Sequence, residues 1–234
     1  MKMKKIALTV ILCTLITLSI NAQSGCSKYY PMVEGASFQY TMYNKKGKTD
    51  GITDYKITNV TNSGGSTSAT FDIKFTDDKG KDVFSTNYNI NCSEDGIKID
   101  YTSLFPSAMM KQYEDMGVEM DISGTDIQLP NDLSVGKELQ DANVSVSMNM
   151  SGIKMKTTVD MINRKVEKKE SITTPAGTFD CYLITETSTS KTMGATIETD
   201  NKLWLAEGIG MIKQESYKKN GNLMTRMELT KFSK

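Results

Sequence analysis

The sequence predicts an exported, mainly β protein whose antiparallel meander curls into a half-barrel or barrel-like sheet. Two observations predict this fold class: apolar and polar residues alternate along many short segments, and turns rich in Gly, Asn and Asp separate those segments. Connections this short allow only antiparallel neighbours, because a parallel crossover needs about a dozen residues or more. About a dozen strands are too many for a flat sheet, so we expect the sheet to curl.

Residues 1–22 have the pattern of a signal peptide, and residues 23–234 are interpreted as a single β-rich domain. Three lysines, Lys2, Lys4 and Lys5, precede an apolar run that extends from Ile6 to Ile20. This run is shorter than the roughly 20 residues that a membrane-spanning helix needs. The pattern predicts export to the periplasm or secretion.

A lipid anchor at Cys26 is the alternative outcome of export. Ser24 and Gly25 are small, as the residues before a lipidated cysteine usually are. Gln23 stands where such signals have an aliphatic residue, so the lipid anchor is the less favoured interpretation.

The N-terminal half is predicted to be a meander of five strands. The segment after Pro31 alternates, with Phe38, Tyr40 and Met42 on one side, which is typical of a half-buried strand. The predicted strands are 36–43, 52–60, 67–76, 82–91 and 97–101. Turns such as Asn62-Ser63-Gly64-Gly65 separate them.

Residues 103–116 are predicted to form the only helix, with Ser103 as its N-cap and Gly117 as its stop. Apolar residues recur at helical spacing, including Leu104, Ala108 and Met109. The apolar side of this helix needs a partner, and we expect it to pack on the sheet.

The C-terminal half is predicted to contain further antiparallel strands. The stretch 117–138 gives a weak pattern: a short strand at 118–122 and then a loop around Pro130. The clearest hairpin is 143–162, turning at Ser151-Gly152, which sets Met148 opposite Met155 and Met150 opposite Ile153 on one apolar face. Strands at 166–174, 178–188, through Trp204, at 211–217 and at 222–232 follow.

The composition argues against an enzyme. There is no histidine, which removes the usual general base, triad partner and metal ligand, and no nucleotide-binding motif is present. The sequence therefore predicts no catalytic residue, no cofactor and no metal site. A glycosidase that uses only carboxylates is the enzymatic alternative. Its acidic residues would come from a cluster that a solvated surface explains better: Glu114, Asp115, Glu119, Asp121 and Asp126.

The charge balance argues against a nucleic-acid partner. The chain has 28 basic and 28 acidic residues, and three of the lysines belong to the signal peptide, so the mature domain is slightly acidic. Such a balance offers no basic footprint for nucleic acid or for an anionic membrane surface.

Export places Cys26, Cys92 and Cys181 in an oxidising compartment. Cys26 precedes the first strand and Cys92 ends a strand, so both are expected near the surface, and we predict a Cys26–Cys92 disulfide. Cys181 alternates with Phe179 and Leu183, which predicts a buried, inert thiol.

Three segments together resemble the TapB-like exported bacterial proteins, a domain family of unassigned function. The stretch from Pro31 to Tyr40 resembles the family's opening Pro-x-x-x-Gly-x-x-aromatic-x-Tyr pattern. Residues 174–182 and 204–213 resemble its second and third signatures. The resemblance implies a β-rich envelope protein, similar in plan to the curled sheets of lipoprotein carriers that cradle acyl chains. It supplies no catalytic residues.

We therefore expect a non-enzymatic carrier or binder of an apolar, lipid-like ligand, with another envelope protein as a further partner. The expected ligand-binding residues are Met109, Tyr113, Met148, Met150 and Met155, because methionine adapts to apolar surfaces and binding grooves. The thioethers of Met148, Met150 and Met155 would also suit Cu(I), but packing or an apolar groove explains the methionine enrichment better. The alternative function is an envelope interaction or structural module with a filled core and no small-molecule ligand.

Overall fold

The computed structural model describes residues 26–104, 107–150 and 152–234, so the predicted signal peptide lies outside the described residues. The strands of this part of the chain are β1 (Ser37–Asn44), β2 (Thr49–Ser63), β3 (Ser66–Asp77), β4 (Asp82–Ser93), β5 (Gly96–Ile99), β6 (Glu119–Gly124), β7 (Ile127–Pro130), β8 (Ala142–Met150), β9 (Ile153–Thr174), β10 (Gly177–Thr192), β11 (Ala195–Ala206), β12 (Gly210–Lys218) and β13 (Leu223–Ser233). Between β5 and β6 lie a 3-10 helix (Tyr101–Leu104) and α1 (Ser107–Asp115).

All described strands belong to one antiparallel sheet, in the order β6-β8-β9-β10-β11-β12-β13-β1-β2-β3-β4-β5-β7. The sheet is not closed by strand pairing. Its two edge strands, β6 and β7, are nevertheless consecutive in the chain, with only Thr125 and Asp126 between them. Because one stretch of chain pairs with β8 and then with β5, the two edges must lie close together. The predicted curled antiparallel sheet is confirmed.

Because neighbouring strands are antiparallel, the turns gather at two ends of the sheet. One end, called the plug end below, holds the turns 63–66, 93–96, 174–177 and 206–210 and the start of the loop 131–141, whose later residues run beside β9. The opposite end, called the far end, holds the turns 44–49, 77–82, 192–195 and 218–222 and the connection between β8 and β9. The connection between β5 and β6 ends at the far end, where Glu119 pairs with Asn149.

Residues 26–36 plug one end of the curled sheet. The amide of Asn131 donates hydrogen bonds to the carbonyls of Cys26 at 2.7 Å and Glu94 at 3.1 Å. The N–H of Gly208 donates to the carbonyl of Lys28 at 2.9 Å. Tyr29 is fully buried and packs edge-on against the ring of Tyr182. The segment that precedes the first strand is therefore part of the core.

Gly210 lies directly against this plug, with a backbone φ of 101°, and a Cβ there would overlap the ring of Tyr30. We expect Gly210→Ala to lower the free energy of unfolding by about 3 kcal/mol, because overpacking adds to left-handed backbone strain. Gly208→Ala is the matched control: Gly208 has a φ of 71°, and its nearest foreign atom is the flexible Lys234 Nζ at 3.5 Å. Gly208→Ala should lower the free energy of unfolding by about 1 kcal/mol. Urea-induced unfolding measures the stability of both variants. Equal losses would show that the overlap with the Tyr30 ring does not add to the cost.

A bulge in β9 redirects the middle of this long strand. The pairing of β9 with β10 shifts between Leu183 and Ile184 and again between Thr185 and Thr187. Asn163 occupies the left-handed region there, with a φ of 57°. The bulge sets Arg164 beside Glu186 on the inner face of the sheet.

Several predicted elements differ from the observed ones. The predicted helix 103–116 is instead a 3-10 helix followed by α1, which begins only at Ser107, so Ser103 is not its cap. The loop predicted around Pro130 contains β7, because edge pairing with β5 can accept a proline at a strand end. The strands predicted at 153–162 and 166–174 are one continuous strand, β9. The register predicted for the 143–162 hairpin is confirmed, with Met148 opposite Met155.

Candidate functional site

A cavity of about 460 Å³ lies on the inner face of the curled sheet, beside the plug. Strands from both halves of the chain contribute to its lining, from β1 to β5 on one side and from β9 to β13 on the other. Side chains alternate along each strand, so every second one points to the inner face of the sheet. The curl of the sheet then brings inner side chains from distant strands opposite one another. The cavity is therefore a product of the curl of the sheet.

One wall of the cavity is aromatic. It consists of Tyr30 from the plug and five side chains from β1 to β4: Phe38, Tyr40, Tyr55, Phe71 and Tyr88. The rings of Tyr40 and Tyr55 meet edge-to-face with centroids 5.5 Å apart, and those of Phe71 and Tyr88 stack at 5.4 Å. These contacts hold the rings in place, so the wall is preformed.

The aromatic wall is uncharged. Burial raises the pKa of Tyr30 to about 12, and burial also raises the pKa values of Tyr40, Tyr55 and Tyr88. Their hydroxyls therefore stay protonated at neutral pH. The Tyr40 hydroxyl donates to the carbonyl of Met211 at 3.0 Å, which ties β1 to β12 across the cavity.

The opposite wall combines apolar side chains, such as Leu203, with polar ones, including an ion pair between Arg164 of β9 and Glu186 of β10. Arg164 is only 6% exposed, and its Nε lies 3.3 Å from the Glu186 carboxylate. Asn201 donates to the same carboxylate at 3.5 Å and to the Ser188 hydroxyl at 3.0 Å. Gln214 completes the polar part of the lining.

Arg164 also connects the edge strand β7 to β9. Its Nη1 donates to the carbonyl of Gln140 at 2.6 Å and to that of Gln128, in β7, at 3.4 Å. An arginine is suited to this position because its planar fork can donate in several directions at once. The ion pair therefore has a structural role beside the cavity.

Met148 and Met155, two of the methionines predicted to bind ligand, do not line this cavity. Met148 and Met155 form a cross-strand row with Met120 and are half-buried. A separate groove of about 560 Å³ includes this row and the polar residues on both sides of it. Those flanking residues, Glu119, Asp121, Ser147, Asn149, Lys154 and Lys156, point to the opposite face from the methionines because side chains alternate. The groove therefore lies on the polar face.

The remaining predicted binding residues lie near the same edge. Tyr113 belongs to α1, which contacts β6, and its side chain is half-buried. Met109 lies in α1 and Met150 ends β8, but their side chains lie outside what the structure describes. Tyr113, Met148 and Met155 are thus absent from the interior cavity.

The cavity residues that sequence reasoning missed fall into two groups. Tyr40, Tyr55 and Tyr88 occupy inner strand positions, and the alternation of apolar residues could have pointed to them. Arg164 and Glu186 carry no such signal, because the bulge that brings them together depends on the pairing of β9 with β10.

The structure joins Cys26 and Cys92 in a disulfide, with their Cα atoms 5.6 Å apart. Cys92 is only 1% exposed, so the expectation that it lies near the surface is wrong. It is covered because residues 26–36 pack over the end of β4. Cys181 is a buried free thiol, as predicted, and burial raises its pKa to about 12.

Two other features of the described chain carry no site. A groove of about 880 Å³ on the outer face is lined by charged residues such as Asp54, Lys56 and Asp72 and is unsuited to an apolar ligand. The acidic residues proposed for the glycosidase alternative are mostly exposed: Glu114, Asp115, Glu119 and Asp121. Asp126 instead pairs with Lys98 at 2.8 Å.

Within residues 26–104, 107–150 and 152–234, no cluster of three or more Cys, Asp or Glu residues could hold a metal ion. Among the described helices, none has the length and apolar character to span a membrane.

Two solved structures share this fold. A presumed exported protein with a YmcC-like fold from Bacteroides fragilis NCTC 9343 is 21% identical, with a TM-score of 0.69 over 89% of this chain and 100% of that one. A presumed lipoprotein from Parabacteroides distasonis ATCC 8503 is 22% identical, with a TM-score of 0.69 over 88% and 99% of the two chains. At these identities the likeness concerns the fold alone.

No curated protein matches the sequence. The resemblance to the TapB-like proteins is not confirmed by the family comparison. The model of another family of unassigned function, the DUF3108-like proteins, matches residues 33–229, which is most of the chain. This protein belongs to the DUF3108-like family.

Proposed function

We propose that this protein is a non-enzymatic cell-envelope carrier or binder that holds an apolar, lipid-like ligand in the interior cavity. The preformed cavity of about 460 Å³ is the observation that carries this proposal. Its volume falls within the roughly 300 to 1,000 Å³ of small-molecule sites, which are mostly apolar with a few placed polar groups.

The two walls of the cavity define the kind of ligand that fits. The aromatic wall offers uncharged ring faces to an acyl chain or another apolar group. The side chains of Asn201 and Gln214 on the other wall offer hydrogen-bonding groups to a polar head. Arg164 and Glu186 neutralise each other, so the site favours a ligand with an uncharged polar end.

An envelope location is supported by three observations. The N-terminal segment has the pattern of a signal peptide. A disulfide joins Cys26 to Cys92, and disulfides persist in oxidising compartments. The two similar structures are described as a presumed exported protein and a presumed lipoprotein. A sulfur in a disulfide cannot also carry a lipid thioether, so the disulfide form of Cys26 is not the anchored form.

The first test is a search for a bound ligand. The protein is expressed with its own signal, purified from the envelope without detergent, extracted with organic solvent and analysed by mass spectrometry. We expect a stoichiometric apolar molecule that is absent from a control protein handled in the same way. The intact mass also shows where the signal is cut and whether Cys26 carries lipid.

A pair of variants connects binding to the cavity. Leu203→Trp fills the cavity from β11, whereas Asp200→Trp adds the same ring to an exposed position on the other face of that strand. A fluorescent monoacylglycerol, whose polar end is uncharged, is the probe. We expect Leu203→Trp to weaken its binding roughly tenfold, because the tryptophan ring takes up apolar space in the cavity. Asp200→Trp should bind like the wild type.

The contrary results are equally clear. If the purified protein is empty and the wild-type protein does not bind the monoacylglycerol, the carrier proposal is wrong. An interaction module with a filled core then becomes the better account. If both tryptophan variants fold and bind equally, binding occurs elsewhere on the protein.

A further inference from the structure

The two ends of the sheet carry opposite charge. The turns of the far end contain seven lysines and three aspartates: Lys45, Lys46, Lys48, Asp77, Asp78, Lys79, Lys81, Asp82, Lys218 and Lys219. Asp50, Lys154 and Lys191 directly flank these turns. The plug, the turns and the start of the loop at the plug end contain two lysines and five acidic residues: Lys28, Glu34, Glu94, Asp95, Asp132, Lys137 and Glu207. The connection from β5 to β6 adds Lys111, Glu114 and Asp115 to the far end, which stays net basic.

Exposed apolar side chains gather at the same basic end. Five of them, Val83, Phe84, Ile153, Met193 and Ile197, lie in or beside its turns and are 49% to 75% exposed. The plug end has Val33 and Val135 as its counterparts. The Phe84 ring stacks on that of Phe75 at 5.5 Å, which stiffens the tip of the β3–β4 hairpin.

Met193 is the most exposed of these side chains, and its backbone is strained. It is the first central residue of the two-residue turn between β10 and β11, with a φ of 46°, followed by Gly194 with a φ of 83°. Such turns favour Asn or Gly at both positions, and a methionine there costs stability. A strained position that presents an exposed apolar side chain suggests a functional constraint.

We propose that the far end docks on the surface of a membrane that contains anionic lipid. Lysines spread over separate hairpin tips meet the headgroups, while Phe84, Met193 and Ile197 enter the interface between headgroups and acyl chains. A flat, charged and deformable surface fits this arrangement, because the lysines and apolar residues project from several turns and do not surround a groove. The proposal does not depend on a ligand in the cavity.

The distribution of charged residues over the fold explains why the overall composition did not indicate this surface. The mature domain is slightly acidic as a whole, which argued against an anionic membrane. The meander separates the charges, since alternate turns fall at opposite ends of the sheet. Binding depends on the local charge within about a Debye length, which is about 10 Å at 0.1 M salt, and not on the total.

Vesicle sedimentation with the full mature protein tests the proposal. The probes are vesicles of phosphatidylcholine alone and vesicles that also contain phosphatidylglycerol. We expect binding to the anionic vesicles that is at least roughly tenfold stronger and that weakens as salt rises from about 0.1 M to about 0.5 M.

Two variants separate the charged from the apolar contribution. Replacing Lys45, Lys46 and Lys48 by glutamine should weaken binding roughly tenfold or more, since each basic residue near the surface contributes. Met193→Asn suits the turn better than the native residue, so it should keep the fold and still weaken binding several-fold. Val33→Ser, at the plug end, is the matched control and should bind like the wild type.

The proposal is overturned if the protein binds neither kind of vesicle or binds both equally. It is also overturned if the folded lysine and Met193 variants bind like the wild type. Binding to native envelope vesicles that disappears after protease treatment, without binding to pure lipid, would instead indicate a protein partner.

Discussion

Cys26→Ser is expected to lower the free energy of unfolding by about 4 kcal/mol, because the Cys26–Cys92 disulfide closes a loop with a sequence separation of 66 residues. A cross-link over such a loop restricts the unfolded chain strongly. The bond also holds the start of the plug against the end of β4, where Asn131 binds the carbonyl of Cys26. Urea-induced unfolding, followed by circular dichroism, measures the loss.

Cys26 is the better cysteine to replace, because it is half-buried whereas Cys92 is almost fully buried. Cys181→Ala is the control that removes a buried thiol without breaking a bridge, and it should cost about 1 kcal/mol. A reductant should shift the urea-unfolding curve of the wild type to that of Cys26→Ser. It should leave the unfolding curve of Cys26→Ser unchanged. A variant as stable as the wild type would show that the plug holds without the disulfide.

Arg164→Met is expected to lower the free energy of unfolding by about 3 kcal/mol. The change leaves the Glu186 carboxylate, which is 22% exposed, without its ion-pair partner. It also removes the donor from the carbonyls of Gln128 and Gln140, so that the edge strand β7 loses its link to β9. Chemical unfolding measures the loss, and hydrogen exchange should show faster exchange in β7.

Two comparisons make this prediction specific. The double variant Arg164→Met with Glu186→Gln should be more stable than Arg164→Met alone, because the unpaired carboxylate is gone. Arg226→Met removes another arginine, paired with Glu228 at 3.2 Å and 31% exposed, and should cost about 1 kcal/mol or less. If Arg164→Met costs no more than Arg226→Met, other contacts hold β7 beside β9.

Much of the fold could be predicted from local patterns. The alternation of Phe38, Tyr40 and Met42 identified β1, and Ser151-Gly152 fixed the register of the β8–β9 hairpin. These features depend on neighbouring residues and on turn chemistry, which a sequence displays directly. The edge strand β7 was missed because its pairing with β5 joins segments separated by the whole connection 100–118.

The candidate site was less accessible to sequence reasoning. The one-sided pattern of Met148 and Met155 is real, but those residues lie near the β6 edge and outside the interior cavity. The residues that line the cavity come from strands in both halves of the chain. No local pattern in the sequence indicates which inner side chains face each other across a curled sheet.

The sequence by itself predicted an antiparallel meander and showed the pattern of a signal peptide, and its lack of histidine excludes histidine-based catalysis. The tertiary structure decided where the curl leaves a cavity, how a bulge sets Arg164 against Glu186, and which end of the sheet is basic. The physical reason is the range of the interactions. Alternation and turns are set by residues a few positions apart, whereas the cavity, the link from Arg164 to β7 and the charge separation arise only when distant strands pack together.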